Sequence, residues 1–180
     1  MADAAEKLMT VAEFLARDDG TDTRYELVAG RRVAMERPRA THSIIVANLA
    51  GATVERPWYG GLNASVLGPG RSHTFYQADL VISCTPVRAG MATIPEPAVI
   101  FEVLSPSSIE HDRGRKVYDY RQIESVQEIV LVSSEQRHVM TWRRQGAKWE
   151  VEDLIGDAVL ELEAVGIAIP LAAIYADSGI

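Results

Sequence analysis

The stretch "AVIFEVLS", residues 98–105, constrains this chain more than any other: an almost unbroken apolar run with one carboxylate at its centre. Near-continuous apolarity over one strand length implies cover on both faces, as in the middle of an α/β sheet. Glu102 then sits inside a buried strand, where an ionised side chain needs a cationic partner, a metal or an opening to solvent. Upstream, "TPVRAGMATIPEP" is a loop by its three prolines and its glycine. Downstream, Ser-Pro-Ser breaks the apolar run, and "IEHDRGRKVYDYRQI" reads as a charged helix despite Gly114. On that helix Lys116 and Tyr120, four apart, share one face.

The other elements follow from periodicity and punctuation. "LMTVAEFLARDDG" is a short helix with Thr10 and Glu13 at capping-box spacing. "RYELVAGRRVAME" splits at Ala29-Gly30 into two extended pieces joined by a tight turn. Ala40 to about Val54 is helical, with Ile44, Ile45, Leu49 and Ala52 as its apolar stripe, and Pro57 with Gly60-Gly61 ends it. Strands are expected at "LNASVL", "FYQADLVISC", "QEIVLVSS", "RHVMTWRR" and "KWEVEDLI", and "AVGIAIPLAAIYA" gives a last short strand and a closing helix. The expectation is an α/β fold with a central mixed sheet flanked by helices, in one domain spanning residues 1–180. The Gly-rich loops of nucleotide-binding folds are missing, as is the regular alternation of strand and helix.

Two acids lie within expected strands, Asp79 in "QADLVIS" and Glu102. If these strands are neighbours, both point to one side at one level and offer hard oxygen ligands suited to Mg²⁺ or Mn²⁺. The competing account has each acid capping an edge or pairing with an arginine. Lys116 either assists at such a centre or is a surface lysine. Glu26 either completes a metal site, holds the lysine or is solvated. His42, at a helix start, can bind phosphate, ligate metal or cap the helix. Arg113, Arg115 and Arg121 suit a phosphate backbone, although helices carry such residues routinely. Ser105 and Ser107 lack a nucleophile elbow. Cys84, near a strand end, reads as a small core residue, and Trp142 and Trp149 as packing residues of a hairpin. A single cysteine permits no internal disulfide, which fits a reducing, cytoplasmic setting. The apolar runs are too short to span a bilayer, so no membrane is expected. A net charge of −7 argues against wholesale non-specific DNA binding but leaves room for a basic cleft.

Taken together, "YELVAGRRVAMERPRATHSIIVANL", "YQADLVIS", "PAVIFEVLSPSS" and "HDRGRKVYDYRQ" before "VQEIVLVS" resemble a bacterial restriction-endonuclease family. It is a domain of unknown function especially multiplied in cyanobacteria and belongs to the PD-(D/E)XK nuclease superfamily. The resemblance covers nearly the whole chain. It implies a restriction-endonuclease-like fold, a divalent metal (Mg²⁺ or Mn²⁺), hydrolysis of DNA phosphodiesters and a homodimer. By position it matches Asp79 and Glu102 to the metal-binding acids, Lys116 to a lysine moved from strand to helix, Glu26 to the early glutamate, His42 to the helix-start histidine and Tyr120 to the tyrosine after the lysine. Two departures stand out. Ala78-Asp79 replaces Pro-Asp, and Leu104 stands where the superfamily motif has its lysine. Two other readings stay open: a nucleic-acid-binding or regulatory module without turnover, and a structural or interaction protein.

Overall fold

The computed structural model describes residues 8–18, 20–53, 58–68, 70, 72–105 and 112–180, with the side chains of 112 and 113 set aside. The chain begins with helix α1 (Val11–Leu15), capped by Thr10 and Glu13 in a reciprocal box. Strands β1 (Tyr25–Val28) and β2 (Arg31–Ala34) form a hairpin across Ala29 and Gly30, both in the left-handed region at φ 48° and 82°. Two successive positive φ values match the twist of the flanking strands, which is why glycine occupies the second place. Helix α2 (Ala40–Ala52) follows, then β3 (Tyr59–Leu67), β4 (Phe75–Ser83) and β5 (Pro97–Leu104). A π-helical turn (Asp112–Lys116) runs into α3 (Val117–Tyr120). Strands β6 (Glu128–Ser133), β7 (His138–Gln145), β8 (Lys148–Ile155), β9 (Val159–Leu162) and β10 (Ile167–Pro170) and helix α4 (Leu171–Ile174) complete the chain.

The main sheet runs β2-β1-β4-β5-β6-β7-β8, with β3 also on β4. Among the described residues only β5 and β6 pair in parallel, so the sheet is mixed. All eight residues of β5 are buried, as its apolarity demands. One face packs Leu80, Ile82, Val99 and Phe101 against Ile45 and Leu49 of α2 and against the β9–β10 hairpin and α4. The other packs Ile100, Leu104, Ile129 and Leu131 against Val117 and Tyr120. At about 1.5–3 kcal/mol per large apolar side chain, these two layers fix where β4 and β5 lie. This is the α/β architecture with a central mixed sheet flanked by helices that a restriction-endonuclease-like fold requires. Among the described residues no helix is long and apolar enough to cross a membrane.

Several local expectations are corrected. Gly60 and Gly61 do not stop α2; they lie in β3, where a Cβ on Gly61 would come within 3.0 Å of Ile94 Cδ1. Strand β9 was not foreseen. The charged helix ends at Tyr120, and its expected first part, with Ser107, lies outside the described residues. Cys84 is exposed rather than a core residue. Strand β4 stops at Ser83, whose hydroxyl donates to Pro95 O and accepts the Thr85 N–H, so the chain turns away just before the cysteine.

Candidate active site

Strand β4 carries β3 along one edge. On its other edge it pairs with β1 at Leu27↔Phe75 and with β5 from Ser83↔Pro97 only as far as Leu80↔Phe101. Between Phe75 and Leu80 the two neighbours part, and a fork opens. The next pair in register would have been Asp79 opposite Glu102. Both ladders fail at that level, since β3–β4 also skips from Leu62↔Leu80 to Ala64↔Ala78. Asn63, opposite Asp79, adopts φ 46°, a left-handed conformation that asparagine tolerates better than most residues. Ala78 and Val81 consequently face one core while Leu80 and Ile82 face the other, a local break in the two-residue alternation.

Side chains replace the missing ladder. Glu26 Oε1 accepts the Gln77 N–H at 2.9 Å, and Asp79 Oδ2 accepts the Val103 N–H at 2.7 Å. Carboxylates held open by backbone donors are thereby gathered at the fork. Lys116 reaches them from the π-helical turn, with Nζ 2.8 Å from Glu26 Oε1 and 3.2 Å from Glu102 Oε1. Glu26, Glu102 and Lys116 are 4%, 3% and 4% exposed, so the Lys116 ammonium meets both carboxylates away from bulk water. Tyr120, one α-turn on, donates its hydroxyl to Glu102 Oε1 at 2.6 Å. Leu104 belongs to the apolar core, so the strand itself offers no lysine and the helix supplies it.

The helix is fixed by a residue that sequence reading passed over. Buried Asp119 accepts from Tyr76 Oη at 2.6 Å and from Arg115 Nε at 2.9 Å. Burial, and then the Asp119 carboxylate, push the Tyr76 phenol well above its usual range, while the same carboxylate raises the Arg115 guanidinium. The Tyr76 ring meets Tyr120 edge-on at 5.4 Å. Tyr76 thereby anchors the inward face of the helix that presents Lys116, through both Asp119 and Tyr120.

His42, in the first turn of α2, places Nε2 3.2 Å from Asp79 Oδ2, and its Nδ1 is buried without a partner. An unpaired buried N–H costs more than an unpaired lone pair here, which favours the tautomer that donates from Nε2 to Asp79. Glu26, His42, Asp79, Glu102 and Lys116 all line one cleft of about 260 Å³. The arginines expected to contact substrate do not join them. Arg115 is tied to Asp119, Arg121 lies with its guanidinium carbon 5.7 Å from the Trp149 ring centre, and the Arg113 side chain lies outside the described residues. Instead Arg24, Arg37 and Arg39 line the cleft. Arg24 was not singled out from sequence because its contacts, with Asn63 and Gln77, lie 39 and 53 residues away along the chain. Among the described residues no group of three or more His, Cys, Asp or Glu side chains is arranged to hold a metal.

Comparison with known proteins agrees with this architecture. The chain is similar to the uncharacterized protein sll1609 of Synechocystis sp. (strain ATCC 27184 / PCC 6803 / Kazusa), 23% identical over 165 residues, covering 87% of this chain and 93% of that one. A second uncharacterized Synechocystis protein, slr1290, is 29% identical over 99 residues, 54% of this chain and 52% of its own. The fold of the present chain matches a crystal structure described as a "putative nuclease belonging to DUF820" from Anabaena variabilis ATCC 29413, with a TM-score of 0.71 and 17% identity, covering 93% of this chain and 97% of that one. A family model named Uma2, "Putative restriction endonuclease", matches residues 11–172, and the chain belongs to that family.

Proposed function

We propose that the cleft hydrolyses phosphodiester bonds of DNA with the help of a bound divalent cation, Mg²⁺ or Mn²⁺. The observation that carries this reading is the arrival of Lys116 Nζ beside Glu102, from a helix, at the level where the strands around Asp79 come apart. The donor chemistry fits such a cation. Asp79 and Glu102 supply hard carboxylate oxygens from two sides of the fork, and Mg²⁺ characteristically takes only one or two carboxylates, leaving other positions to water and substrate phosphate. When bound, the cation supplies an acidified water and charge for the phosphate oxygens.

The reaction adds water across one P–O bond: a bond forms from the water oxygen to phosphorus, and the leaving sugar oxygen departs with a proton. Negative charge grows on the phosphate oxygens, and the Lys116 ammonium is the chain's own group placed to donate to them. Tyr120 holds the Glu102 carboxylate in position through its hydroxyl, and the Val103 N–H and His42 do the same for Asp79. Glu26 keeps the lysine aimed into the fork.

A supercoiled plasmid incubated with Mg²⁺ or Mn²⁺ tests this. The wild type should nick it, and Asp79→Asn and Glu102→Gln should lose about a hundredfold or more while melting normally. A fully active, metal-dependent Glu102→Gln protein would overturn the assignment. A second reading, a nucleic-acid-binding module without turnover, draws on Lys116 as an internal counter-ion of both glutamates. It predicts DNA binding with no nicking under any divalent cation.

A further inference from the structure

Arg24 differs from the other arginines held in place in this fold. Arg115 is paired with Asp119, Arg143 with Glu128 and Glu163, and Arg39 approaches Glu135 at 3.8 Å. Arg144 is spent on the carbonyls of Arg121, Ile123 and Val126. Arg24 is exposed on the wall of the cleft and yet fixed by three hydrogen bonds, all to neutral amides. Its Nε and Nη2 both donate to Gln77 Oε1, and Nη1 donates to Asn63 Oδ1 at 3.0 Å. Among the described residues no carboxylate lies within ion-pair distance of it.

An amide oxygen orients a guanidinium without neutralising it, whereas a carboxylate would cancel the charge and repel an incoming anion. A planar fork held still in advance also loses little freedom when it binds. Gln77 ties this cation to the reactive centre, because its backbone N–H is the one that Glu26 accepts and Glu26 in turn holds Lys116. Gln77 lies two residues before Asp79 on β4, about 7 Å along the strand at the usual rise. Asn63, the second anchor, stands opposite Asp79 on the β3 edge, in the left-handed conformation at the level where that ladder is interrupted.

We infer that Arg24 is a phosphate-binding residue of the nucleic-acid site, taking the phosphate next to the one at Asp79 and Glu102, with Gln77 and Asn63 as its positioning residues. The inference rests on the nucleic-acid reading of the cleft and adds to it a contact made with every sequence. Anisotropy of a short fluorescein-labelled DNA duplex in EDTA, titrated at several salt concentrations, tests it apart from cleavage. Arg24→Ala should weaken binding roughly tenfold and lower the slope of log affinity against log salt by about 0.9. Arg24→Lys should keep the slope and lose part of the affinity, because charge remains and the fork does not. Gln77→Glu should reproduce the loss of slope by neutralising Arg24 where it stands. Arg137→Ala, which removes a charge that donates to Ile180 O, is the control and should leave the slope unchanged. Wild-type binding with an unaltered slope in Arg24→Ala would overturn the inference and leave the nuclease reading standing. No wild-type binding at any salt concentration, either in EDTA or with Ca²⁺ in its place, would overturn both.

Discussion

Replacing Lys116 by methionine tests the electrostatics of the fork. The substitution keeps most of the side-chain volume and removes the ammonium that lies 2.8 Å from Glu26 and 3.2 Å from Glu102. Removing one partner of a buried ion pair costs about 3–5 kcal/mol, because the remaining charge is left uncompensated. Here each glutamate keeps at least one donor, the Gln77 N–H for Glu26 and the Tyr120 hydroxyl for Glu102, which places the loss near the lower end, about 3 kcal/mol. With an unfolding entropy of about 2.1 cal/mol/K per residue, that corresponds to a fall in Tm of roughly 8 °C for a chain of 180 residues. Urea denaturation and thermal melting at neutral pH read both quantities. Glu26→Gln in the same protein removes one of the two stranded charges and should recover much of the loss, a coupling that a double-mutant cycle measures directly. A Lys116→Met protein within about 0.5 kcal/mol of wild type would show that the ammonium does not hold the buried carboxylates, because that is the range of surface substitutions.

Two further outcomes probe the frame around the site. Glu128, buried in β6, accepts from Arg143 Nε and from the backbone N–H groups of Glu163 and Ala164, so it pins the β9–β10 turn to the sheet. Glu128→Ala should cost about 3 kcal/mol and accelerate amide exchange at 163 and 164 well before the fork around Asp79 is affected; unchanged exchange there would contradict the role. Alkaline pH should also destabilise the fold. Burial pushes the Tyr175 phenol up to about 12, and burial with Asp119 raises Tyr76 as well. The neutral phenol is favoured in the folded state, so this stabilisation is whole below pH 10 and is lost as pH rises through about 12. For Tyr175 it amounts to about 3 kcal/mol. Urea midpoints across that range should fall, and Tyr175→Phe should flatten the Tyr175 share of the fall.

The sheet's centre was legible because burial on both faces leaves a continuous apolar run, and β5 has that property along its whole length. The Lys116–Tyr120 pairing was legible for a similar reason: four residues on a helix share a face whatever the tertiary context, and both do meet Glu102. Strand β9 was not legible, since four residues in simple alternation carry too little signal to stand apart from a turn. Gly60 and Gly61 misled because glycine marks a breaker in one setting and a close approach in another, and only Ile94, brought in from a distant loop, decides which. The cleft's basic wall was hidden for the same reason. Three arginines around the Lys116 helix attracted attention through local charge density, yet Arg115 and Arg121 are committed to Asp119 and Trp149. Arg24, by contrast, gains its significance from Gln77 and Asn63, which the sheet places beside it. Asp119 likewise went unremarked in the sequence, because its role depends on Tyr76, which the sheet brings in from β4.

The proposed reaction requires Asp79 and Glu102, on either side of the break between β4 and β5, to act on one divalent cation. A calorimetric titration of metal-stripped protein with Mn²⁺, in the presence of a short DNA duplex and carried out on wild type, Asp79→Asn and Glu102→Gln, tests it most directly. A shared site gives a binding heat in the wild type that disappears in both variants while both remain folded. Equal heats in all three proteins, or none in any of them, would contradict it.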